Sequence, residues 1–158
     1  MLAIPTSGER ISILDPLGRT VRYRLETDNR GPAPMAFSPD GHWLAMASRE
    51  GTVNLCDLGI GEWVDRLHGH LLGVHDVEFS PDGSRLASAS AKSEAVKLWD
   101  LEVRQEVATL SGEGSLFERV QFSPDGALLV AINSNGKLHI WRGASPQPDR
   151  SSAGSTGE

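Results

Sequence analysis

The chain has 158 residues, with 21 acidic against 15 basic side chains, a net charge of −6 and a single cysteine. That length suffices for one domain of ordinary size, the acidic balance argues against the basic stripe that a nucleic-acid duplex requires, and a lone Cys56 excludes an intrachain disulfide framework. The opening residues lack a basic region followed by a long apolar core, and the longest apolar run, residues 127–132, is far too short for a bilayer-spanning helix, so no signal peptide and no membrane contact are expected and the expected location is cytoplasmic.

Taken in chain order, short runs that alternate or are rich in β-branched residues predict strands. The first three fall at 2–5, 10–14 and 20–25. A group of four follows at 34–38, 43–48, 52–58 and 62–67, and another four at 74–80, 85–90, 95–101 and 105–110. The last three are predicted at 117–123, 128–132 and 137–142. Residues 143–158 are rich in Ser, Gly and Pro without a hydrophobic period, a composition expected to form a disordered tail.

Two landmarks repeat through these strands. Phe-Ser-Pro-Asp-Gly occurs at 37–41, 79–83 and 122–126, in steps of 42 and 43 residues. Proline presets φ for the first turn position, aspartate bonds its own backbone, and glycine accepts positive φ, so each copy predicts a tight turn between antiparallel strands. The strand-end pairs Leu14-Asp15, Cys56-Asp57, Trp99-Asp100 and Trp141-Arg142 keep the same spacing. A fixed period of this size marks a solenoid, propeller or array.

Gly69-His70, Val74, Val77 and the run from Phe79 to Asp100 resemble the repeat of the WD-repeat β-propeller family, and the resemblance extends over most of residues 1–142. It implies an all-β partial propeller of four-stranded antiparallel blades, two complete and two incomplete, ranged about a central channel. Propeller rings of this family resemble closed circles of more blades, and both outermost groups of strands are apolar, at Leu2, Ile4, Ile11 and Ile13 and at Leu138, Ile140 and Trp141. Either the sequence is the C-terminal part of a larger WD-repeat protein or copies associate as a homo-oligomer to complete a ring. The first is preferred, because the predicted strands begin inside a repeat.

The resemblance also implies a hydrogen-bonded network bracing a blade, with His70, Ser88 or Ser90, and Trp99 as members and Trp141 as the matching indole of the last blade. The family's aspartate partner is missing: Glu50 fills its place one blade earlier, where Asp28 and Cys56 replace histidine and tryptophan, and Glu113 and Asn135 stand beside Trp141. A Ser/His set of this kind braces a packed sheet rather than forming a nucleophile, since no oxyanion donors accompany it. His68, His70 and His75 lack a cysteine pair or carboxylate pattern suited to a metal, and Asp40, Asp82 and Asp125 belong to the turns. No cofactor fingerprint is present. Cys56, at a tryptophan position, is expected to be a buried small hydrophobe.

Function is expected from the loop face, which in this family usually takes protein or peptide partners. By alignment the first-strand entrances hold Ala33, His75 and Glu118, and the loops after the second strands hold Arg49, Lys92 and Ser134, with Leu72 and Phe117 nearby. Phe117 aligns with Val74 and is expected in the core. The leading expectation is a non-catalytic interaction scaffold. The alternatives are a propeller-based hydrolase or lyase with chemistry at the central channel, where the first strands supply Met35, Val77, Glu78, Val120 and Gln121, and a degenerate remnant without independent role.

Overall fold

The computed structural model describes residues 1–6, 10–15, 17–27, 33–92 and 94–143. Asp28 and the tail at 144–158, both singled out above, lie outside the described residues. Among the described residues, fourteen strands form four antiparallel sheets. The first blade holds β1 (Leu2–Thr6), β2 (Arg10–Asp15) and β3 (Thr20–Glu26) in sequential order. The second holds β4 (Met35–Phe37), β5 (Trp43–Ala47), β6 (Thr52–Asp57) and β7 (Glu62–His68). The third holds β8 (Asp76–Phe79), β9 (Arg85–Ala89), β10 (Val96–Asp100) and β11 (Gln105–Leu110), and the fourth β12 (Phe117–Phe122), β13 (Leu128–Asn133) and β14 (Leu138–Arg142). Two blades of four strands and two of three are thus present, as the repeats imply.

Strand ends differ from expectation by a residue or two, and the reasons are local. β8 starts at Asp76 because the Val74 amide turns away to the Ser48 carbonyl of the second blade, 2.9 Å distant. β14 starts at Leu138 because Lys137 closes a turn, its amide donating to Asn133 Oδ1 at 2.9 Å and its carbonyl accepting from the Asn133 amide at 3.1 Å.

The repeated turns are built alike. In each, the serine hydroxyl donates to the aspartate two residues on (Ser38 to Asp40, Ser80 to Asp82, Ser123 to Asp125, all 2.5 Å). The serine oxygen also receives the amide that opens the next strand, from Trp43, Arg85 and Leu128 at 2.8–2.9 Å. The serine bond, and then the amide bond from the residue two beyond the aspartate, hold all three carboxyls below the usual carboxylate range. Gly41, Gly83 and Gly126 take φ near +70°, which only glycine adopts without strain.

Alternation along the strands sends one face of each blade toward the next. Three apolar clusters result, one at each junction: Ile11, Ile13, Leu44, Met46 and Cys56 between blades one and two; Val53, Leu55, Val77, Leu86 and Trp99 between two and three; Ala87, Val96, Phe117, Val120 and Leu129 between three and four. Phe117 is fully buried, a core residue as its alignment suggests. Outer bonds tie the first junction: Trp63 Nε1 donates to the Glu26 carbonyl at 2.6 Å and Tyr23 to the Gly59 carbonyl at 3.2 Å. Arg104 spans the second, lying over the Trp43 ring and 3.6 Å from Asp65. On the outermost faces Leu2, Ile4 and Val21 at one end and Leu138 and Ile140 at the other remain 40–59% exposed.

Candidate interaction face and its bracing network

Ser88 is the hub of the third blade. Its Oγ lies 2.7 Å from His70 Nε2 and accepts the Trp99 indole N–H at 2.8 Å. Serine, histidine and indole are all buried. Both Ser88 and Ser90 lie on one side of β9 and its extension, but their partners differ. Ser90 donates instead to the carbonyls of Leu72 (3.3 Å) and Gly73 (2.9 Å). His70 Nδ1 is buried without a hydrogen-bond partner. Burial first, then the positive charge of Lys97, push the imidazole pKa down to about 4, so His70 is neutral at neutral pH.

Where the family places an aspartate beside the histidine, this blade carries a charged cluster not anticipated from the repeat. Lys97, on β10, is buried and donates to Glu106 Oε2 at 2.9 Å and Thr109 Oγ1 at 2.8 Å, with Glu94 Oε1 at 3.6 Å. Burial raises the Glu106 pKa, but bonds from Thr109 and Lys97 and the charge of Lys97 outweigh it and leave the carboxyl below its ordinary value. Trp141 has different company. Ala131 stands opposite His139 as Ser88 stands opposite Lys97, so no hydroxyl waits there. The indole stacks on His139 at 5.9 Å, and His139 meets Phe117 edge-on.

His68 is exposed on β7 and His75 half-buried, and among the described residues no three His, Cys, Asp or Glu side chains gather to hold a metal ion. Cys56 is fully buried, and desolvation, then the charge of Asp57, push its thiol up to about 11, far from the thiolate needed for reactivity. Val77 and Val120, two of the first-strand residues considered for the central channel, are buried between blades. Asp76 Oδ2 accepts the Val120 amide at 2.9 Å and Glu78 accepts the Phe122 amide. These acids of β8 thereby occupy free N–H groups along the inner edge of β12. Burial raises both pKa values, against those bonds.

Antiparallel pairing brings the starts of first and third strands and the ends of second and fourth strands to one end of every blade. Arg49, His75, Lys92, Glu118 and Ser134 all belong to that end, Arg49, Lys92, Glu118 and Ser134 exposed and His75 half-buried. Main-chain bonds stitch its turns together. Val74 N–H donates to the Ser48 carbonyl (2.9 Å) and, one repeat on, Phe117 N–H to the Ser90 carbonyl (2.8 Å). Lys92 N–H donates to Ser115 (3.0 Å) and Ser134 N–H to Leu116 (2.8 Å). Lys92 adopts φ +61°, a strain that this bond helps hold. Desolvation lowers the His75 pKa against the opposing charge of Glu118. Leu71 was not singled out by the repeat, yet it is 84% exposed on this face.

An open series of antiparallel blades, packed face to face and carrying linked loops at one end, defines a propeller-type repeat scaffold. The WD domain, G-beta repeat family matches residues 35–57, 61–100 and 104–142, more than half of the chain, and the chain belongs to that family. It is 33% identical over 98 residues to the uncharacterized WD repeat-containing protein sll1491 of Synechocystis, covering 62% of this chain and 28% of that one. It is 48% identical over 56 residues to WD repeat-containing protein SL1-17 of Schistosoma mansoni, covering 35% and 18%. With WD repeat-containing protein 1 of Gallus gallus the identity is 37% over 81 residues, covering 49% and 13%. The chain therefore spans less than a third of the length of each of these relatives.

Proposed function

We propose that the chain is a non-catalytic scaffold for protein–protein interaction, working as part of a larger propeller and receiving a protein or peptide on its loop face. Membership of the WD-repeat family supports the general reading. The observation that carries the finer one is the main-chain stitching of the loops that hold Arg49, His75, Lys92, Glu118 and Ser134, across blades at Val74–Ser48, Phe117–Ser90 and Lys92–Ser115 and within the fourth blade at Ser134–Leu116. Loops already ordered in the free protein lose little entropy when a partner docks, so more of the contact energy appears as affinity. The Ser88 hydroxyl, with Trp99 on one side and His70 on the other, serves packing, which supports leaving catalysis out of the reading. Further blades covering Leu2, Ile4, Leu138 and Ile140 are part of the proposal, supported by the greater length of the relatives.

The test is selection of a randomised twelve-residue display library on the immobilised chain, followed by hydrogen exchange with and without a selected peptide. Protection confined to 48–51, 69–75, 90–94 and 133–137 is the expected result. Retention of no peptide of any composition, or protection only on the opposite end of the blades, overturns the reading.

A further inference from the structure

The loop face carries one feature that ordinary rim chemistry does not require: two adjacent leucines held out toward water. Leu71 is 84% and Leu72 40% exposed. Their turn is tied down by hydrogen bonds. The Leu71 amide donates to Glu94 Oε2 at 3.1 Å, and Ser90 Oγ donates to the Leu72 and Gly73 carbonyls. On the other side, a Cβ added at Gly73 would sit 3.0 Å from the Arg49 carbonyl oxygen, so the turn abuts the second blade's loop as closely as glycine permits. The leucine pair is therefore held as a wedge between two loops, one carrying Arg49 and the other holding Ser90 and Glu94 and also carrying Lys92.

Charge divides unevenly around that wedge. Arg49 and Lys92 are both exposed, and neither forms an ion pair with a described residue. Glu94, the acid beneath the turn, is engaged by the Leu71 amide and by Lys97. Glu50 adjoins Arg49 in sequence, and Glu118 belongs to the next junction, near His75. Two uncompensated cations flanking an exposed apolar pair are complementary to a ligand with the opposite sign and a matching anchor.

We propose that the Leu71–Leu72 turn, flanked by Arg49 and Lys92, is the docking point for a short acidic peptide segment bearing a large apolar side chain. This rests on the scaffold reading above and names the chemistry of its partner. The apolar side chain covers Leu71, and carboxylates on either side meet the guanidinium, which binds carboxylate through paired N–H donors, and the ammonium.

The same display selection tests it. Retained peptides should pair Asp or Glu with Leu, Phe or Trp, and affinity should fall as salt rises. Leu71→Ser and Arg49→Glu should each weaken the best synthetic peptide by about tenfold or more, and Lys92→Asn should weaken it while preserving the left-handed backbone that asparagine tolerates. All three side chains are exposed, so these variants keep the fold, and Val107→Ser on β11 is the neutral control. Peptides that bind the loop face with a basic or uncharged consensus, or with unchanged affinity for Leu71→Ser and Arg49→Glu, overturn this inference and leave the scaffold standing. Retention of no peptide removes both.

Discussion

Replacing Ser88 by alanine removes one oxygen and disconnects two buried groups. The Trp99 indole N–H, donor only, loses its sole acceptor at 2.8 Å, and His70 loses its contact at 2.7 Å. Because His70 Nδ1 already has no partner, the variant leaves the imidazole with neither nitrogen bonded. A buried donor without a partner costs about 1–3 kcal/mol, and a second unsatisfied group adds a similar amount. Ser88→Ala is thus expected to destabilise by about 3 kcal/mol, or roughly 6–12 °C in Tm for a domain of this size. Urea and thermal unfolding followed by far-UV circular dichroism measure it. Trp99→Phe, which removes the donor while keeping a smaller aromatic ring, should make the serine change cheaper by about 1–2 kcal/mol in a double-mutant cycle. A Ser88→Ala loss below about 0.5 kcal/mol, or strict additivity with Trp99→Phe, would refute the idea that this hydroxyl braces the blade.

Three further expectations follow from the same structure. His70 has its folded pKa depressed to about 4 against an ordinary value of 6.5, so its contribution is fully present above pH 6.5 and is lost as pH falls toward 4, at about 1.4 kcal/mol per pH unit. Urea midpoints between pH 7.5 and 4.5 should fall accordingly, and His70→Gln should flatten that slope; an unchanged slope counts against it. Asp76 and Glu78 act with the opposite sign, since their raised pKa values add stability as pH falls through them. Asp76→Ala should cost about 1–3 kcal/mol by orphaning the buried Val120 amide, whereas Asp76→Asn retains an acceptor and should be close to neutral; the reverse ranking in urea unfolding would dismiss the inter-blade link. Gly51 (φ +82°) faces the His70 and Leu72 carbonyls so closely that a Cβ cannot fit, while Gly136 (φ +75°) has open space. Gly136→Ala should therefore cost about 1 kcal/mol of backbone strain, and Gly51→Ala clearly more, checked by comparing their melting temperatures.

The architecture was legible because its causes are local. Three copies of Ser-Pro-Asp-Gly make the same side-chain bonds within five residues of one another, and alternation between turns assigns faces. The fourteen strands of the described residues and their grouping into blades therefore follow from the chain read in order. The candidate site was legible in part: aligning turns brings Arg49, His75, Lys92, Glu118 and Ser134 to one end of the blades, but alignment says nothing of which loop side chains are forced outward.

Tertiary packing decided the rest. Ser88 and Ser90 are two residues apart and share a face, so pattern alone does not distinguish them; Ser88 reaches Trp99 because its strand register sets it opposite Lys97, while Ser90, past the strand end, meets the neighbouring turn. Trp141 sits at an indole position yet finds Ala131 instead of a hydroxyl. Lys97 looks like any strand lysine until β11 brings Glu106 and Thr109 against it. Asp76 and Glu78 become inter-blade acceptors only when β12 lies alongside β8. Periodicity in a chain encodes contacts between near neighbours in sequence; who pairs across a junction 40 residues wide in sequence is set by geometry that exists only once the blades have packed.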